Sequence, residues 1–261
     1  MSAHKDLSYP NDFVDRIEIS WGDGFLSPGG PDEVREVLRD TEVASKTVLD
    51  IGCGTAGPAL VMVGELGAAR VVGVDIEAQV IERGINNVRR AGLDECVALQ
   101  LVQPGPLPFA SGTFDVVFSK DSLIHIDDKA AVFTDVLRVL KPGGVFAASD
   151  WLAGENAAQS EEFQRWLDTS THHFVMQTAR EAMASMRAAG FEAVASRDRN
   201  AWYAAVATRE VALMEGPLRQ RFLDAGGEAR YQQLLTIRKT NADAVRCGSL
   251  RPTHLRGRKR I

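Results

Sequence analysis

The sequence predicts an α/β fold built on a doubly wound, mostly parallel sheet. Short apolar segments of strand type alternate with helical segments between residues 47 and 151, as expected for a series of βαβ units. The chain has 261 residues, enough for one well-buried α/β domain with additions. Hydrophobic residues make up 45% of it and charged residues 25%, which is ordinary for a globular protein.

The strands and helices of this core are predicted from the spacing of apolar residues and from the positions of turn-forming residues. The predicted strands are TVLDI, RVVGVDI, CVALQLV, FDVVFSK and VFAASDW. The predicted helices are PALVMVGELG, EAQVIERGINNVRRAG and DDKAAVFTDVLRVL, the last closed by Lys141-Pro142-Gly143-Gly144. A sheet of this kind binds its ligand beyond the carboxyl ends of the strands, near the switch in strand order.

The flanking segments are expected to cover this core. Residues 1–45 contain turn signals and the helical stretch PDEVREVLRD, and we interpret them as a lid or cap. Residues 46–151 form the ligand-binding core. Residues 152–261 are interpreted as a helical insertion, final strands and a region that covers the substrate. Their predicted elements are EEFQRWLDTSTHHF, TAREAMASMRAAG, a sixth strand at FEAVASRD, and a helical region at 203–246 interrupted at Gly216-Pro217 and Gly226-Gly227.

The net charge and the cysteine content limit which binding partners and which cellular compartment the sequence predicts. The net charge is −5, which argues against a nucleic-acid partner. Residues 246–261 are an exception with six basic residues, and we expect either a solvated terminus or a segment that folds over an anionic substrate. No stretch approaches the ~18 apolar residues of a membrane span. Three scattered cysteines predict a cytoplasmic protein without a metal site.

A glycine-rich loop follows the first predicted strand. Gly52, Gly54 and Gly57 form a G-x-G-x-x-G pattern, which is typical of sites where backbone N–H groups bind a dinucleotide pyrophosphate. Asp50 stands two residues before Gly52, however, and its carboxylate would repel a pyrophosphate. A carboxylate suits the cationic amino group of S-adenosylmethionine, which carries no phosphate. The glycines would let the backbone approach that group.

Further cofactor contacts are expected where the next strands end. Asp75 ends the second strand and could bind both ribose hydroxyls, a role it could equally have with NAD. Ile76 would pack against the adenine. Gln103 could reach the amino edge of the adenine or be an ordinary polar loop residue. Pro104 and Ser119 complete the predicted cofactor site.

Four segments resemble the class I S-adenosylmethionine-dependent methyltransferases. They are VLDIGCGTAG, VVGVDI, PFASGTFDVVFSKDSLIHI and VLRVLKPGGVFAASDW, in the family's order and spacing. The resemblance implies a Rossmann-like methyltransferase fold, with an N-terminal lid and a helical C-terminal cap around a cofactor-binding core at residues 46–151. It implies a small-molecule acceptor and S-adenosylhomocysteine as the product of the cofactor. The oligomeric state stays open.

The flanks resemble the phosphoethanolamine (phosphobase) N-methyltransferase group. The similar segments are WGDGFLSPGG, SKDSLIHIDDK, SDW and the basic C-terminal segment. In that group the loop after the fourth strand contributes an Asp and a His to the active site, and the matching positions here are Asp121 and His125. The loop near Gly29 and Gly30 would form a lid over the cofactor. The resemblance implies N-methylation of an amine.

His125 is the expected base. An ammonium nitrogen has no lone pair until a neighbouring group accepts its proton, and His125, with an ordinary pKa of about 6.5, can do so near neutral pH. Asp121, one helical turn earlier if the segment is helical, could orient the imidazole or pair with the substrate ammonium. The alternative is that His125 is a packed loop histidine near the cofactor.

The residues expected around the acceptor depart from the phosphobase pattern. Ile17 and Phe25 stand where that group has tyrosines, and neither side chain can form a hydrogen bond. Cations for a phosphate are few. The remaining predicted substrate contacts are Lys120, Trp151, His172, Arg238 and Lys239. Aromatic residues such as Trp151 would pack the cap or surround a methylated ammonium.

The acceptor is therefore left open between a small amine, an amino acid derivative and a hydroxyl group. The alternative to N-methylation is O- or C-methylation of a secondary-metabolite scaffold, which the apolar Ile17 and Phe25 would favour. F-S-K-D-S stands where nucleic-acid methyltransferases have an N/D-P-P-[YFW] motif, which argues against a nucleic-acid substrate.

Overall fold

The segments predicted as strands all lie in one sheet. A computed structural model of the protein describes residues 11–170 and 172–261. The strands are β1 (Thr47–Ile51), β2 (Arg70–Asp75), β3 (Val97–Leu101), β4 (Phe114–Lys120), β5 (Leu140–Ala153), β6 (Glu192–Asp198) and β7 (Leu250–Arg258). Their order is β3-β2-β1-β4-β5-β7-β6. β1 to β5 are parallel, whereas β7 is antiparallel to both β5 and β6. The predicted fold class is confirmed.

Helices cover both faces of the sheet. In the described part of the chain they are α1 (Asn11–Trp21), α2 (Gly30–Leu38), α3 (Gly57–Gly64), α4 (Ala78–Ala91), α5 (Lys129–Val139), α6 (Glu161–Thr169), α7 (Ala179–Ala189), α8 (Asn200–Glu215) and α9 (Arg219–Arg246). α9 is interrupted at Gly227, where φ is 72°, close to the predicted break. Across residues 11–170 and 172–261, none of the helices has the length and apolar character that crossing a bilayer requires.

Both faces of the sheet are buried, which explains why the strand sequences are continuously apolar. Neighbouring residues of a strand face opposite sides. Val48 and Val116 therefore pack with α2 and α3 on one side of the sheet, while Leu49 and Val117 pack with α5 and α7 on the other. Fully burying a side chain of this type stabilises the fold by about 1.5–3 kcal/mol, so these two clusters hold the strand ends in place.

The basic C-terminal segment is a correction to the sequence-based expectation. Residues 250–258 form β7, inserted between β5 and β6, with Thr253 and Leu255 buried. β7 is antiparallel to β5, so it begins beside the carboxyl end of β5, where Leu250 pairs with Ala153, and runs away from it until Arg258 pairs with Val145. The Arg256 guanidinium donates to the backbone oxygen of Asp40 at 2.8 Å. Residues 250–258 are therefore a strand of the sheet and not a cover over a substrate, whereas the chain end is solvated, with Ile261 95% exposed.

The segment after α6 is a second correction. The predicted helix runs to Phe174, but α6 ends at Thr169. The hydroxyl groups of Thr169 and Ser170 both donate to the backbone oxygen of Trp166, at 2.9 and 2.8 Å. Such local bonds compete with the helical ladder and favour its end. Residues 172–176 consequently lie in irregular structure, which brings their backbone to the loop after β4.

Candidate active site

A cavity of about 750 Å³ opens at the carboxyl ends of β1 to β4. Its walls come from residues 24–27, residues 51–54 and residues 120–128, together with the segments that follow β2 and β3. This volume is typical of a small-molecule site. The cavity lies beside the switch in strand order between β1 and β4, where the doubly wound topology predicts a ligand.

The structure brings most of the predicted cofactor residues to this wall. The lining includes Gly52, Gly54, Asp75, Ile76, Gln103 and Pro104. Ser119 lies beneath the wall instead. Its Oγ donates to the backbone oxygen of Ile51 at 2.9 Å, so the buried hydroxyl joins β4 to β1.

The glycines of the loop are required by close backbone approaches. Gly52 has a φ of 70°, and a Cβ there would overlap the Oγ of Ser122. Gly57 begins α3, and its N–H donates to the backbone oxygen of Gly24 at 2.9 Å. A Cβ at Gly57 would overlap that same oxygen. The N-terminal segment at Gly24, predicted to be part of a lid, therefore lies directly on the glycine loop.

Asp50 is buried below the loop, and both carboxylate oxygens have no hydrogen-bond partner among the described residues. Burial, with the charge of Asp75 second, raises the pKa of Asp50 to about 8. A buried carboxyl group without a partner is unfavourable, and a cationic ligand above the loop would relieve it. The Asp50 carboxylate is thus suited to bind the amino group of S-adenosylmethionine.

The end of β2 fits the nucleoside part of that cofactor. Asp75 Oδ2 accepts from the N–H of Gly54 at 3.0 Å, and Oδ1 accepts from the N–H of Glu77 at 3.1 Å. Burial raises the pKa of Asp75, and these N–H donors oppose the shift. Each carboxylate oxygen can accept a second bond, so ribose hydroxyls can be added. Ile76 is 42% exposed on the cavity wall and offers an apolar surface for a base.

Lys120 and Asp121 form an ion pair in the wall beyond the glycine loop. Lys120 Nζ lies 2.6 Å from Asp121 Oδ2 and donates to Ser27 Oγ of the lid, also at 2.6 Å. Asp121 Oδ1 accepts from Ser149 Oγ at 3.2 Å. The φ of Asp121 is 54°, an unusual conformation for a residue other than glycine that is often found at functional sites.

His125 lines the cavity at the end of a short 3-10 turn, Leu123–His125. Its Nδ1 lies 2.9 Å from the backbone oxygen of His173. A carbonyl oxygen only accepts, so Nδ1 carries the proton of the neutral ring and Nε2 keeps the lone pair. Burial lowers the pKa of His125, the bond to His173 opposes this, and the charge of Lys129 lowers it further. The ring is therefore neutral at pH 7.

The sequence predicts that Asp121 could orient the His125 imidazole, and the structure corrects this prediction. Asp121 precedes the turn and is not one helical turn from the histidine, and its carboxylate binds Lys120 and Ser149. The carbonyl of His173 binds Nδ1 in its place. Of the two predicted roles of Asp121, contact with a substrate ammonium is the one that its place in the cavity wall allows.

Only two of the predicted substrate residues, Phe25 and Lys120, line the cavity. The others lie outside this wall, namely Ile17, Trp151, His172, Arg238 and Lys239. Ile17 is buried on α1. Trp151 packs edge-on against Tyr203, with ring centres 4.7 Å apart. The His172 ring centre is 6.2 Å from that of His125.

Arg238 and Lys239, the two predicted cations of α9, already contact other residues. Arg238 lies 4.2 Å from the ring centre of Trp21. Lys239 forms a surface ion pair with Glu215 at 2.6 Å. Both contacts lie on the helical cap, outside the cavity wall, so the structure does not place either residue where a phosphate in the cavity would need it.

Several residues that position the site were missed from the sequence. Glu18 of α1 is buried and accepts from the N–H of Gly24 at 2.9 Å and from Thr55 Oγ1 at 3.1 Å, and the guanidinium of Arg83 also binds it. Lys129 donates to the backbone oxygens of Leu123 and Ile126 and so holds the His125 turn. A lone acidic or basic residue in a helical pattern carries no local signal of such a role.

Residues 42–205, more than half of the chain, match the family described as methyltransferase domain. The chain belongs to this family. Membership confirms the sequence-based prediction of a methyltransferase that uses S-adenosylmethionine.

Relatives of this methyltransferase act on unlike acceptors. It is 27% identical over 245 residues to phosphoethanolamine N-methyltransferase 1 of Arabidopsis thaliana, covering 94% of this chain and 48% of that protein. It is 33% identical over 168 residues to botryococcene C-methyltransferase of Botryococcus braunii, covering 59% of this chain and 44% of that protein. The chain spans about half the length of the curated relatives it matches.

The fold of this methyltransferase is shared with a solved structure. Phosphoethanolamine N-methyltransferase 2 of Haemonchus contortus, in complex with S-adenosyl-L-methionine, superposes with a TM-score of 0.88 at 21% identity. The alignment covers 100% of this chain and 61% of that chain. The predicted Rossmann-like methyltransferase fold is thereby confirmed.

Proposed function

We propose that the chain methylates the nitrogen of a small amine, with His125 as the base that prepares the nucleophile. The observation that carries this proposal is the position of the His125 ring in the cavity wall, with its Nδ1 bound to a backbone carbonyl. The ring lines the cavity, its Nδ1–H is turned to the carbonyl of His173, and its lowered pKa keeps it neutral near pH 7. A neutral imidazole with a lone pair on Nε2 is the form that can accept a proton.

The residues of the chain would act in sequence. Asp121 binds the incoming ammonium in the cavity wall, and His125 accepts one of its protons. S-adenosylmethionine, when bound, would supply a sulfonium methyl group to the nitrogen lone pair and would leave as S-adenosylhomocysteine, with the electron pair of the broken S–C bond on sulfur. Asp50 and Asp75 would hold the amino and ribose groups of the cofactor, and the lid at residues 24–27 would exclude water.

A methyl-transfer screen tests this proposal. The chain is incubated with S-adenosylmethionine carrying a ¹³C methyl group and, separately, with phosphoethanolamine, glycine-type amines and phenols. S-adenosylhomocysteine formation gives the rate, and the carbon chemical shift of the product identifies an N-methyl, O-methyl or C-methyl group. We expect N-methyl products. Turnover confined to phenols or to carbon nucleophiles would contradict the proposal.

A second candidate is O- or C-methylation of a larger scaffold. It is supported by Phe25, which places an aromatic ring in the lid, and by the similarity to a C-methyltransferase. His125 would serve as the base there too. The ¹³C shift separates this candidate from N-methylation in the same experiment.

A further inference from the structure

We propose that the acceptor is a small amino acid whose carboxylate binds Lys120 and Ser27 while its amine binds Asp121. This inference rests on the proposed N-methylation and adds the chemical class of the acceptor.

The ion pair in the cavity wall is a preformed partner for a zwitterion. The side chains of Lys120 and Asp121 are only 3% and 7% exposed, although both line the cavity. Their charged atoms lie 2.6 Å apart, so the wall offers one positive and one negative group side by side. An amine without an anionic group would have to compete with Lys120 for Asp121. An amino acid supplies a carboxylate to Lys120 as its ammonium takes Asp121, so no buried charge is left alone.

The number of donors matches a carboxylate better than a phosphate. Lys120 Nζ and Ser27 Oγ lie 2.6 Å apart and could each donate to one oxygen of a carboxylate. A phosphate monoester carries about −1.5 to −2 charge on three oxygens and needs several donors in fixed geometry.

The rest of the cavity wall reinforces this preference. Among the described residues, the wall contains one permanently positively charged side chain besides Lys120, namely Arg138. The Arg138 guanidinium is already bound to Asp135 at 2.6 Å and to two backbone oxygens. The acidic residues of the wall are Asp75, Glu77, Asp121, Asp127, Asp128 and Asp135. A wall with more acidic than basic groups repels a dianion more strongly than a zwitterion with no net charge.

The amino acid would also meet the base. The ammonium on Asp121 gives one proton to His125, the free amine attacks the sulfonium methyl carbon, and the S–C bond breaks with its electron pair on sulfur. The product nitrogen carries the methyl group and a positive charge, which Asp121 can still bind. The carboxylate stays on Lys120 and Ser27 throughout, so the acceptor is held at both ends.

Matched acceptors test the class. We compare sarcosine, sarcosinamide, N-methylethanolamine and phosphomonomethylethanolamine by S-adenosylhomocysteine formation. Sarcosine should exceed each of the others in kcat/KM by about tenfold or more, since removing one charged partner of a buried contact typically loses at least that factor. Preference for the phosphorylated amine, or equal rates with sarcosinamide, would overturn the inference. If no amine reacts but a phenol or an alkene does, the proposed N-methylation fails instead.

Variants identify the residues. In Ser27→Ala the KM for sarcosine should rise about fivefold to tenfold with the Kd for S-adenosylhomocysteine unchanged, because one donor to the carboxylate is lost. In Lys120→Met the preference for sarcosine over sarcosinamide should disappear, whatever the remaining rate. Binding of S-adenosylhomocysteine by calorimetry shows that each variant is folded. If Lys120→Met binds the cofactor product and keeps the preference, Lys120 is not the carboxylate partner.

Discussion

Nδ1 of His125 lies 2.9 Å from the backbone oxygen of His173, so a main-chain carbonyl sets the tautomer of the proposed base. The His173 imidazole does not bind His125: its Nε2 lies 2.8 Å from Asp127, an exposed residue at the cavity wall. The two histidines thus offer a pair for mutation, since His125 lines the cavity with its ring, whereas the bond from His173 to that ring comes from its backbone.

His125→Ala should lower kcat by about 10²- to 10⁴-fold, the usual range for loss of a general base. The Kd for S-adenosylmethionine should change by less than about threefold, because a predominantly catalytic contact contributes little to ground-state binding. His173→Ala is the control and should retain most of the activity, since its carbonyl remains. Equal loss of turnover and cofactor affinity in His125→Ala would indicate a packed loop histidine.

The pH dependence of kcat should report the same group. Because burial lowers the pKa of His125, the ring stays unprotonated to more acidic pH than a free imidazole. We expect kcat to fall on the acid side with a midpoint below about 6.5. A midpoint above that value in a steady-state profile would show that another group limits the reaction.

Gly57→Ala should weaken binding of S-adenosylmethionine by about tenfold or more, equivalent to about 1.4 kcal/mol. The added Cβ would overlap the backbone oxygen of Gly24 and push the lid away from the glycine loop. Gly64→Ala in the same helix is the control, because a Cβ there meets nothing within 4 Å. It should leave the Kd unchanged and raise helix stability by up to about 1 kcal/mol. Similar affinities in the two variants would mean that the lid does not depend on this contact.

Asp50 should make the ligand-free protein less stable as the pH rises. Its pKa is about 8 in the folded protein and 3.8 in the ordinary case, so the folded state binds more protons between these values. Stability is therefore lost as the pH rises from about 4 to about 8. Asp50→Asn should show a smaller decrease in melting temperature between about pH 5.5 and pH 8, and the remaining slope includes Asp150, whose pKa burial also raises to about 8.

The same variant tests the cofactor role of Asp50. Loss of the carboxylate should raise the Kd for S-adenosylmethionine by about tenfold or more, as expected for a charge-assisted contact. Binding to the wild type should also release a proton, seen as calorimetric enthalpies that depend on the ionisation enthalpy of the buffer. An unchanged affinity in Asp50→Asn would remove Asp50 from the predicted cofactor site.

Glu33→Gln should lower the free energy of unfolding by about 3–5 kcal/mol, the range for breaking a buried charge pair. Glu33 joins α2 to the C-terminal elements, with Arg199 at 2.6 Å and His254 Nε2 at 2.5 Å. Burial would raise the pKa of Glu33, but hydrogen bonds from His254 and Arg199 outweigh it and lower the pKa. This stabilisation is present above the ordinary pKa of 4.5 and is lost as the pH falls through the folded value.

Glu36→Gln is the control for that prediction. Glu36 contacts Arg199 too, at 3.9 Å, but its side chain is 41% exposed. Its loss should change the free energy of unfolding, measured by urea titration, by less than about 1 kcal/mol. Equal effects of the two substitutions would show that burial does not distinguish these carboxylates.

The cofactor end of the site could be predicted because its signals are local. A glycine pattern, a strand and an acidic residue stand within a few residues of one another, and the topology brings successive strand ends together. Gly52, Asp75 and Gln103 were found in this way and line the cavity.

The acceptor end depends on contacts that leave no local pattern. The partner of Lys120 in the lid, Ser27, is 93 residues away. The group that binds His125 is a backbone carbonyl, which any residue could provide. Final strands were expected within residues 152–261, but β7 was not located because arginine, proline and glycine interrupt its apolar residues. Its burial depends on the strands on both sides rather than on its own hydrophobicity.

The late position of β7 constrains how the chain can fold during synthesis. β5 ends at Ala153, but the strand that covers its free edge begins only at Leu250. A ribosome-bound chain must therefore carry an open row of backbone donors and acceptors while it completes α6 to α9. Open edges invite pairing with other chains. In the finished sheet β6 pairs with β7 and not with β5, so residues 250–258 are needed both to cover the edge of β5 and to join β6 to the sheet.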